Sequence, residues 1–134
     1  AHKSIKIMRK LIFFSLILTF VSCQESLEER CDREAREFTK KNCPVVLDKD
    51  MTLDSMTFDK ATTTIHYYYT VGGQLDDAQT LKRVNARKTL LDALRNTTSI
   101  KNYKEAGYNF SYIYWSKSKK GKKVADYTFT KKEY

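Results

Sequence analysis

Few side chains in this sequence are of the types that do covalent or metal chemistry. The 134 residues include three cysteines and two histidines, which are too few for the usual zinc cluster. His66 lies in a tyrosine-rich stretch, with no nucleophile pattern around it from which a Ser–His–Asp or Cys–His arrangement could be assembled. We therefore predict no catalytic residue, metal or cofactor, and we expect that the chain is not an enzyme.

Cys31 and Cys43 are the two thiols that could pair with each other. If a helix runs unbroken from residue 31 to residue 41, their Cα atoms lie about 15 Å or more apart. A disulfide requires a separation below about 7 Å. We prefer Cys31 as a small core residue and Cys43 as a residue packed at the helix end. A bridge formed in an oxidising compartment stays open as the alternative.

The third cysteine, Cys23, follows an apolar run of 11 residues at positions 11–21, which itself follows the basic residues 9–10. This order is typical of a secretory signal, and the run is too short to span a bilayer. A buried core helix is the alternative for this run. We expect residues 1–22 to comprise upstream residues and a signal peptide, and 23–134 to form one domain.

Phe20-Val21-Ser22-Cys23 resembles the bacterial lipobox, in which apolar and small residues precede a cysteine. The resemblance implies that Cys23 is acylated and becomes the first residue of the mature chain, anchoring it to a membrane. Gln24 follows Cys23 instead of Asp, which favours the outer membrane, and we lean towards its periplasmic leaflet. Removing residues 1–22 lowers the net charge from +9 to +5, because that segment carries four basic residues and no acidic one.

Hydrophobic spacing divides the remaining chain into two helix–hairpin units. Residues 24–42 carry Leu27, Cys31, Ala35 and Phe38 on one helical face. Strands at 52–58 and 62–71 follow, then a second helix from Asp76 or Asp77 with a further turn ending at Gly107, and strands at 108–116 and 122–130. We predict an α+β fold (αββαββ) with a four-stranded antiparallel sheet and both helices on one face.

The other face of that sheet is expected to be open and rich in tyrosine and threonine. Tyrosine is favoured at interfaces, so we predict that Tyr68 and Trp115 contact a partner. Lys119 and Lys120 are added to this partner-binding prediction because they belong to a lysine cluster beside Trp115. That cluster comprises Lys117, Lys119, Lys120, Lys122 and Lys123.

The lysine cluster has more than one interpretation. A solvated turn is the simplest; binding to nucleic acid is disfavoured outside the cytoplasm, and contact with anionic lipid is more plausible there. A separate motif, Asp54-Ser55-Met56, resembles the O-glycosylation tripeptide of Bacteroides-type bacteria, so Ser55 is a candidate for modification.

Several short segments together resemble a group of uncharacterised small lipoproteins of Bacteroides-type bacteria, some of them associated with conjugative transposons. The segments are 43–44, 52–55, 67–69 and 103–107. The resemblance covers residues 24–134 and implies an α+β lipoprotein with an envelope address and no known activity.

Three functions are compatible with these features. The first is a non-enzymatic envelope lipoprotein that binds a protein partner through the domain. The second is a module that binds a glycan or peptide on the aromatic sheet face, and the third is a periplasmic inhibitor or immunity protein. A concave aromatic groove would favour a ligand, and a flat sheet face would favour a protein.

Overall fold

A computed structural model describes residues 25–134, so the predicted export signal at 1–22 and the predicted lipidation site Cys23 lie outside the described residues. The order of elements is α1 (Leu27–Asn42), β1 (Val45–Asp48), β2 (Met51–Asp59), β3 (Thr64–Val71), α2 (Ala78–Arg83), α3 (Ala86–Asn96), α4 (Lys101–Glu105), β4 (Asn109–Ser116) and β5 (Lys123–Phe129). A 3₁₀ turn, Gly73–Leu75, lies between β3 and α2. Within residues 25–134, no helix is both long and apolar enough to cross a bilayer.

Helix α1 begins and ends where local chemistry dictates. The hydroxyl of Ser26 accepts a hydrogen bond from the backbone N–H of Glu29 at 3.1 Å, which satisfies one of the free donors at the helix start. The helix ends at Asn42 because Pro44 forces the preceding Cys43 into extended geometry. The predicted helix over residues 24–42 is thus confirmed, apart from its first turn.

The sheet differs from the prediction of four antiparallel strands, which is wrong. It has five strands in the order β1-β2-β3-β4-β5, and the central pair, β3 with β4, is parallel. The helices between them explain this geometry, because a helical crossover returns the chain to the end of the sheet from which β3 started. The α+β class is correct, but the two hairpins join along parallel strands.

Strand β1 is the element that the sequence pattern missed. It has four residues at the sheet edge, and Val46 and Leu47 are 72% and 53% exposed, so neither the length nor the burial pattern of an ordinary strand is present. Beyond Leu53 the outer edge of β2 has no strand partner among the described residues. There the hydroxyl of Thr39 in α1 bonds both the N–H and the C=O of Met56, each at 2.9 Å.

The second predicted helix is three separate helices. Asn85 adopts a left-handed backbone conformation (φ 52°), which asparagine tolerates better than most residues, and it separates α2 from α3. Residues 97–100 then separate α3 from α4. The segmentation lets the chain bend over the sheet instead of crossing it as one rod.

The core lies on the side of the sheet that the helices cover, which we call the helix side. Ile65, Phe110 and Phe129 are at most 2% exposed there, and Cys31 of α1 and Leu94 of α3 pack against them. Tyrosine rings stack in the same layer: Tyr67 on Tyr112 and Tyr69 on Tyr114, each with ring centroids 4.9 Å apart. Most tyrosines of the sheet therefore lie on the core side, so the prediction that the open face is rich in tyrosine is wrong.

The two ends of the sheet carry different segments. At the end where α1 starts, Lys60 of the β2–β3 turn lies 3.8 Å from Glu28. At the opposite end, the β1–β2 turn meets the end of β3 through a bond from the N–H of Gly72 to the C=O of Asp50. The β4–β5 hairpin with its lysine cluster also lies at this second end, since the N–H of Lys117 bonds the C=O of Val71. We call this second end the lysine end.

Candidate functional site

The predicted partner-binding residues of the sheet lie on the face opposite the helix side, which we call the open side. Tyr68 pairs with Ile113 and Trp115 pairs with Thr70 in the register of β3 and β4. Both aromatic side chains are half-buried, and the Tyr68 ring stacks on His66 with centroids 5.9 Å apart. The structure thus brings Tyr68 and Trp115 to one face, two positions apart along the strands.

Lys119 and Lys120 lie beyond the end of β4, in an ordered hairpin. The carboxylate of Asp76 accepts bonds from the backbone N–H and the hydroxyl of Ser118 at 3.0 and 2.6 Å. Hydrogen bonding from the hydroxyls of Ser116 and Ser118 lowers the pKa of Asp76 to about 2. The hairpin is therefore fixed to the segment before α2, while its two predicted lysines remain exposed.

The ammonium group of another lysine, Lys123, lies over the Trp115 ring, 5.7 Å from its centroid. This contact links the hairpin to the aromatic residues of the open side. Ser55 also lies on the open side, half-buried next to an irregularity in the pairing of β2 with β3. Its glycosylation stays a prediction.

The two cysteines of the described region are both unbridged, as preferred from the sequence. Cys31 is buried in the core, and Cys43 is half-buried and packs against the core at the end of α1. Burial raises the pKa of Cys31 to about 12, so its thiol stays protonated at neutral pH and is a poor nucleophile. Within residues 25–134 no group of three or more His, Cys, Asp and Glu side chains is placed to hold a metal ion.

An apolar groove lies on the helix side of the sheet, near the lysine end. Its volume is about 460 Å³, within the range of ligand pockets. Tyr69 and Tyr114 line it from the two central strands. Its other apolar lining comes from β1, β2, the 3₁₀ turn, α2 and α3, and includes Leu47, Met51, Leu75, Leu81, Val84 and Leu90.

The groove leaves large apolar side chains in contact with solvent. Leu47 and Val84 are 53% and 55% exposed, although each lines the groove. Because both side chains border the same concave surface, the groove is the candidate binding surface of the described residues.

The two tyrosines of the groove are largely buried. Tyr69 and Tyr114 are 8% and 3% exposed, and neither hydroxyl donates a hydrogen bond to another described residue. Burial raises the pKa of Tyr69 to about 12, so its phenol is neutral at physiological pH.

Sequence reasoning did not find this groove. Its lining comes from seven segments, and the helical spacing of Leu81 and Val84 is the same as that of residues facing a closed core. The run of three apolar residues in β1, Val45–Leu47, directly after Pro44, was the one available signal. A short edge strand with two adjacent large apolar residues indicates a surface that another element or another protein covers.

Comparison with curated proteins finds no match. Two solved structures share the fold. A Pseudomonas aeruginosa protein described as secreted has a TM-score of 0.60 at 16% identity, covering 78% of this chain and 94% of that one. The pilotin EpsS from the type 2 secretion system of Vibrio vulnificus has a TM-score of 0.59 at 10% identity, covering 80% of this chain and 90% of that one.

At such identities the likeness concerns the fold alone. Neither comparison tests the resemblance to Bacteroides-type lipoproteins, which stays a prediction. The sequence profile of one family, described as a domain of unknown function (DUF8479), matches residues 26–125. That match spans three quarters of the chain, from the start of α1 into β5, and the chain therefore belongs to the DUF8479 family.

Proposed function

We propose that this protein is an envelope lipoprotein, anchored through Cys23, that binds a protein partner in the groove between β1, α2 and α3 and performs no catalysis. The observation that carries the proposal is the groove itself, whose apolar residues Leu47 and Val84 are more than half exposed. A partner's apolar side chains would remove this surface from water, which stabilises a complex by roughly 25 cal/mol per Å² of apolar area buried.

Two further observations support a protein partner. The groove is concave, but its lining is mostly aliphatic and Leu47 and Val84 are more than half exposed, which suits a protein segment better than a glycan. The fold is also that of a secretion-system pilotin and of a protein described as secreted, which supports an envelope address. The periplasmic leaflet of the outer membrane remains the proposed location.

The test is site-specific photo-crosslinking in cells with the full-length chain. Val84, in the groove, is replaced in one variant by a photo-crosslinking phenylalanine analogue, and Val46 is replaced in the control. Val46 is a matched control because it is 72% exposed in the same hairpin as Leu47 but does not line the groove. We expect one envelope protein to be recovered from position 84 and not from position 46.

Two point substitutions test the same surface without a photo-crosslinking side chain. Leu47→Asp should weaken binding of the recovered protein at least tenfold, because a carboxylate would then face apolar partner atoms. Val46→Asp should leave binding unchanged, and both variants should keep the wild-type free energy of unfolding within about 0.5 kcal/mol. Equal crosslinking from both positions, or unchanged binding by Leu47→Asp, would contradict the proposal.

The open side provides the alternative site. Its half-buried Tyr68 and Trp115 were predicted from the sequence to contact a partner, and the glycan-binding alternative uses the same residues. If Tyr68→Ser abolishes binding of the recovered protein while Leu47→Asp does not, the partner occupies the open side instead of the groove.

A further inference from the structure

The charges next to the groove identify the kind of partner surface that would fit beside it. Lys119, Lys120 and Lys122 of the β4–β5 hairpin are exposed, and none forms an ion pair within the described part of the chain. In the same hairpin Lys123 does, with Asp126 at 3.1 Å. The cluster therefore presents several ammonium groups whose donors are unused.

Helix α2 continues this cationic surface to the groove. Leu81 lines the groove, and the residues directly after it, Lys82 and Arg83, are exposed and have no ion pair with any described residue. The next residue, Val84, lines the groove again. Two cationic side chains thus lie between two apolar ones in this short segment. Such a neighbourhood is typical of the place where the apolar centre of an interface meets its polar rim.

Asp76 and Asp77, the carboxylates beside the hairpin, form no ion pair with its lysines among the described residues, although Lys122 is near enough to help lower the pKa of Asp76. Asp76 accepts from Ser118, and Asp77 accepts from the backbone of Gln79 at 3.1 Å and from the hydroxyl of Thr80 at 3.0 Å. Both line a depression of about 240 Å³ between α2 and the hairpin, together with Lys119, Lys122 and Lys123. With the β1–β2 turn included, the basic side chains of the lysine end still outnumber its carboxylates; they are Lys49, Lys82, Arg83 and the five lysines of the cluster, against Asp48, Asp50, Asp76, Asp77 and Asp126.

An anionic membrane is the other surface that such lysines could meet, and the shape of the domain disfavours it. Strand β3 runs for eight residues between the two ends of the sheet, so the lysine end lies about 23 Å from the end where α1 starts. Only three residues lie between Cys23 and Leu27, so the two Cα atoms can be about 14 Å apart at most. A lipid on Cys23 would hold the α1 end near its membrane and the lysine end away from it.

We infer that the partner segment bound in the groove is acidic, and that its Asp and Glu side chains lie against the lysine end, on Lys119, Lys122 and α2. The inference rests on the proposed function and names the chemistry of the partner. Charge complementarity of this kind accelerates association and selects the partner, and it weakens as salt screens it.

Trp115 allows a direct test, because it is the single tryptophan of the chain and lies against Lys123 at this end. Its fluorescence is followed in the full-length chain during titration with a peptide of alternating Leu and Glu, with the corresponding Leu and Lys peptide, and with phosphatidylglycerol vesicles. We expect the Leu–Glu peptide alone to bind. Its affinity should fall at least tenfold between about 50 and about 300 mM salt, because added salt screens the attraction between its carboxylates and the lysines.

The variant combines Lys119→Glu, Lys120→Glu and Lys122→Glu, and it should weaken binding of the Leu–Glu peptide at least tenfold. A matched variant, Lys40→Glu with Lys41→Glu and Lys132→Glu, makes the same change in net charge at exposed lysines outside the hairpin and should change binding less than twofold, about the limit of experimental error. Equal loss in both variants would mean that net charge alone governs binding, which overturns the inference.

Two other outcomes would also overturn it. One is binding to the vesicles and not to the Leu–Glu peptide, which would make the cluster a membrane contact. The other is equal binding of the two peptides. If the protein crosslinked from position 84 binds the hairpin variant as tightly as wild type, the acidic partner is excluded while the groove and the proposed function stand.

Discussion

The helix side and the open side of the sheet are built from the same strands but are used differently. On the helix side, tyrosine rings of neighbouring strands stack at 4.9 Å under the helices, and part of the layer opens into the groove. On the open side, aromatic side chains are fewer and half-buried, and His66 stacks on Tyr68 at 5.9 Å. The comparison shows that a covered face can still present an apolar groove to solvent where its cover is incomplete.

The largest expected effect is on the helix side. Phe110 is fully buried in the centre of the core. Phe110→Ala should lower the free energy of unfolding by about 3–5 kcal/mol, because it removes apolar contacts and leaves a cavity. Urea denaturation of residues 23–134 measures this loss, and a value below about 1 kcal/mol would show that the helix side is not the stabilising layer.

A smaller loss in the free energy of unfolding is expected where α4 contacts α1 on the helix side. The hydroxyl of Tyr103 donates to the carboxylate of Glu34 at 2.6 Å. Burial of Glu34 acts to raise its pKa, but this bond and the pairing with Arg30 outweigh it, so the pKa lies below the ordinary value of 4.5. Tyr103→Phe should cost about 1 kcal/mol at neutral pH, at the low end for a bond to a charged group, because the carboxylate stays partly exposed.

The same variant has a predicted pH dependence. A carboxylate whose pKa is lowered on folding stabilises the protein above its unfolded-state pKa, and this contribution is lost as the pH falls through the folded value. The difference between wild type and Tyr103→Phe should therefore be constant above about pH 6 and shrink below the ordinary value of 4.5. Denaturation at a series of pH values tests this, and a difference that grows towards acid pH would contradict it.

The smallest effect is expected on the open side. Tyr68→Ser should change the free energy of unfolding by about 1 kcal/mol or less, because the ring is half-exposed and lies outside the core cluster. Thermal unfolding compared with Phe110→Ala gives the contrast directly. A loss comparable to that of Phe110→Ala would make Tyr68 a core residue and remove the distinction between the two sides.

The sequence predicts which residues share a side more reliably than it predicts how the strands are arranged. Alternation groups Tyr67 with Tyr69 and, separately, Tyr112 with Tyr114, because a strand turns successive side chains to opposite faces. That all four share one side follows from the register of β3 with β4. The parallel pairing was missed although the long helical segment before β4 implies it. The left-handed conformation of Asn85, which divides the second helix, depends on tertiary packing that local propensity does not encode.

The candidate site was less predictable than the fold. Tyr68, Trp115, Lys119 and Lys120 lie towards the open side and the lysine end, and their role in binding remains a prediction. The groove escaped notice because its exposed residues, Leu47 and Val84, belong to patterns that normally indicate burial. Whether an apolar residue ends in a core or at an unfilled surface depends on the elements packed around it, and those are known only from the structure.

The bonds that Thr39 makes to Met56 have a consequence for how copies of this protein behave when crowded. An unpaired strand edge is a template for another strand, and repeated pairing of such edges produces aggregates. By bonding the N–H and C=O of Met56, one hydroxyl of α1 blocks pairing at the middle of the free edge of β2. Thr39 thereby disfavours the edge-to-edge pairing of strands that leads to polymerisation.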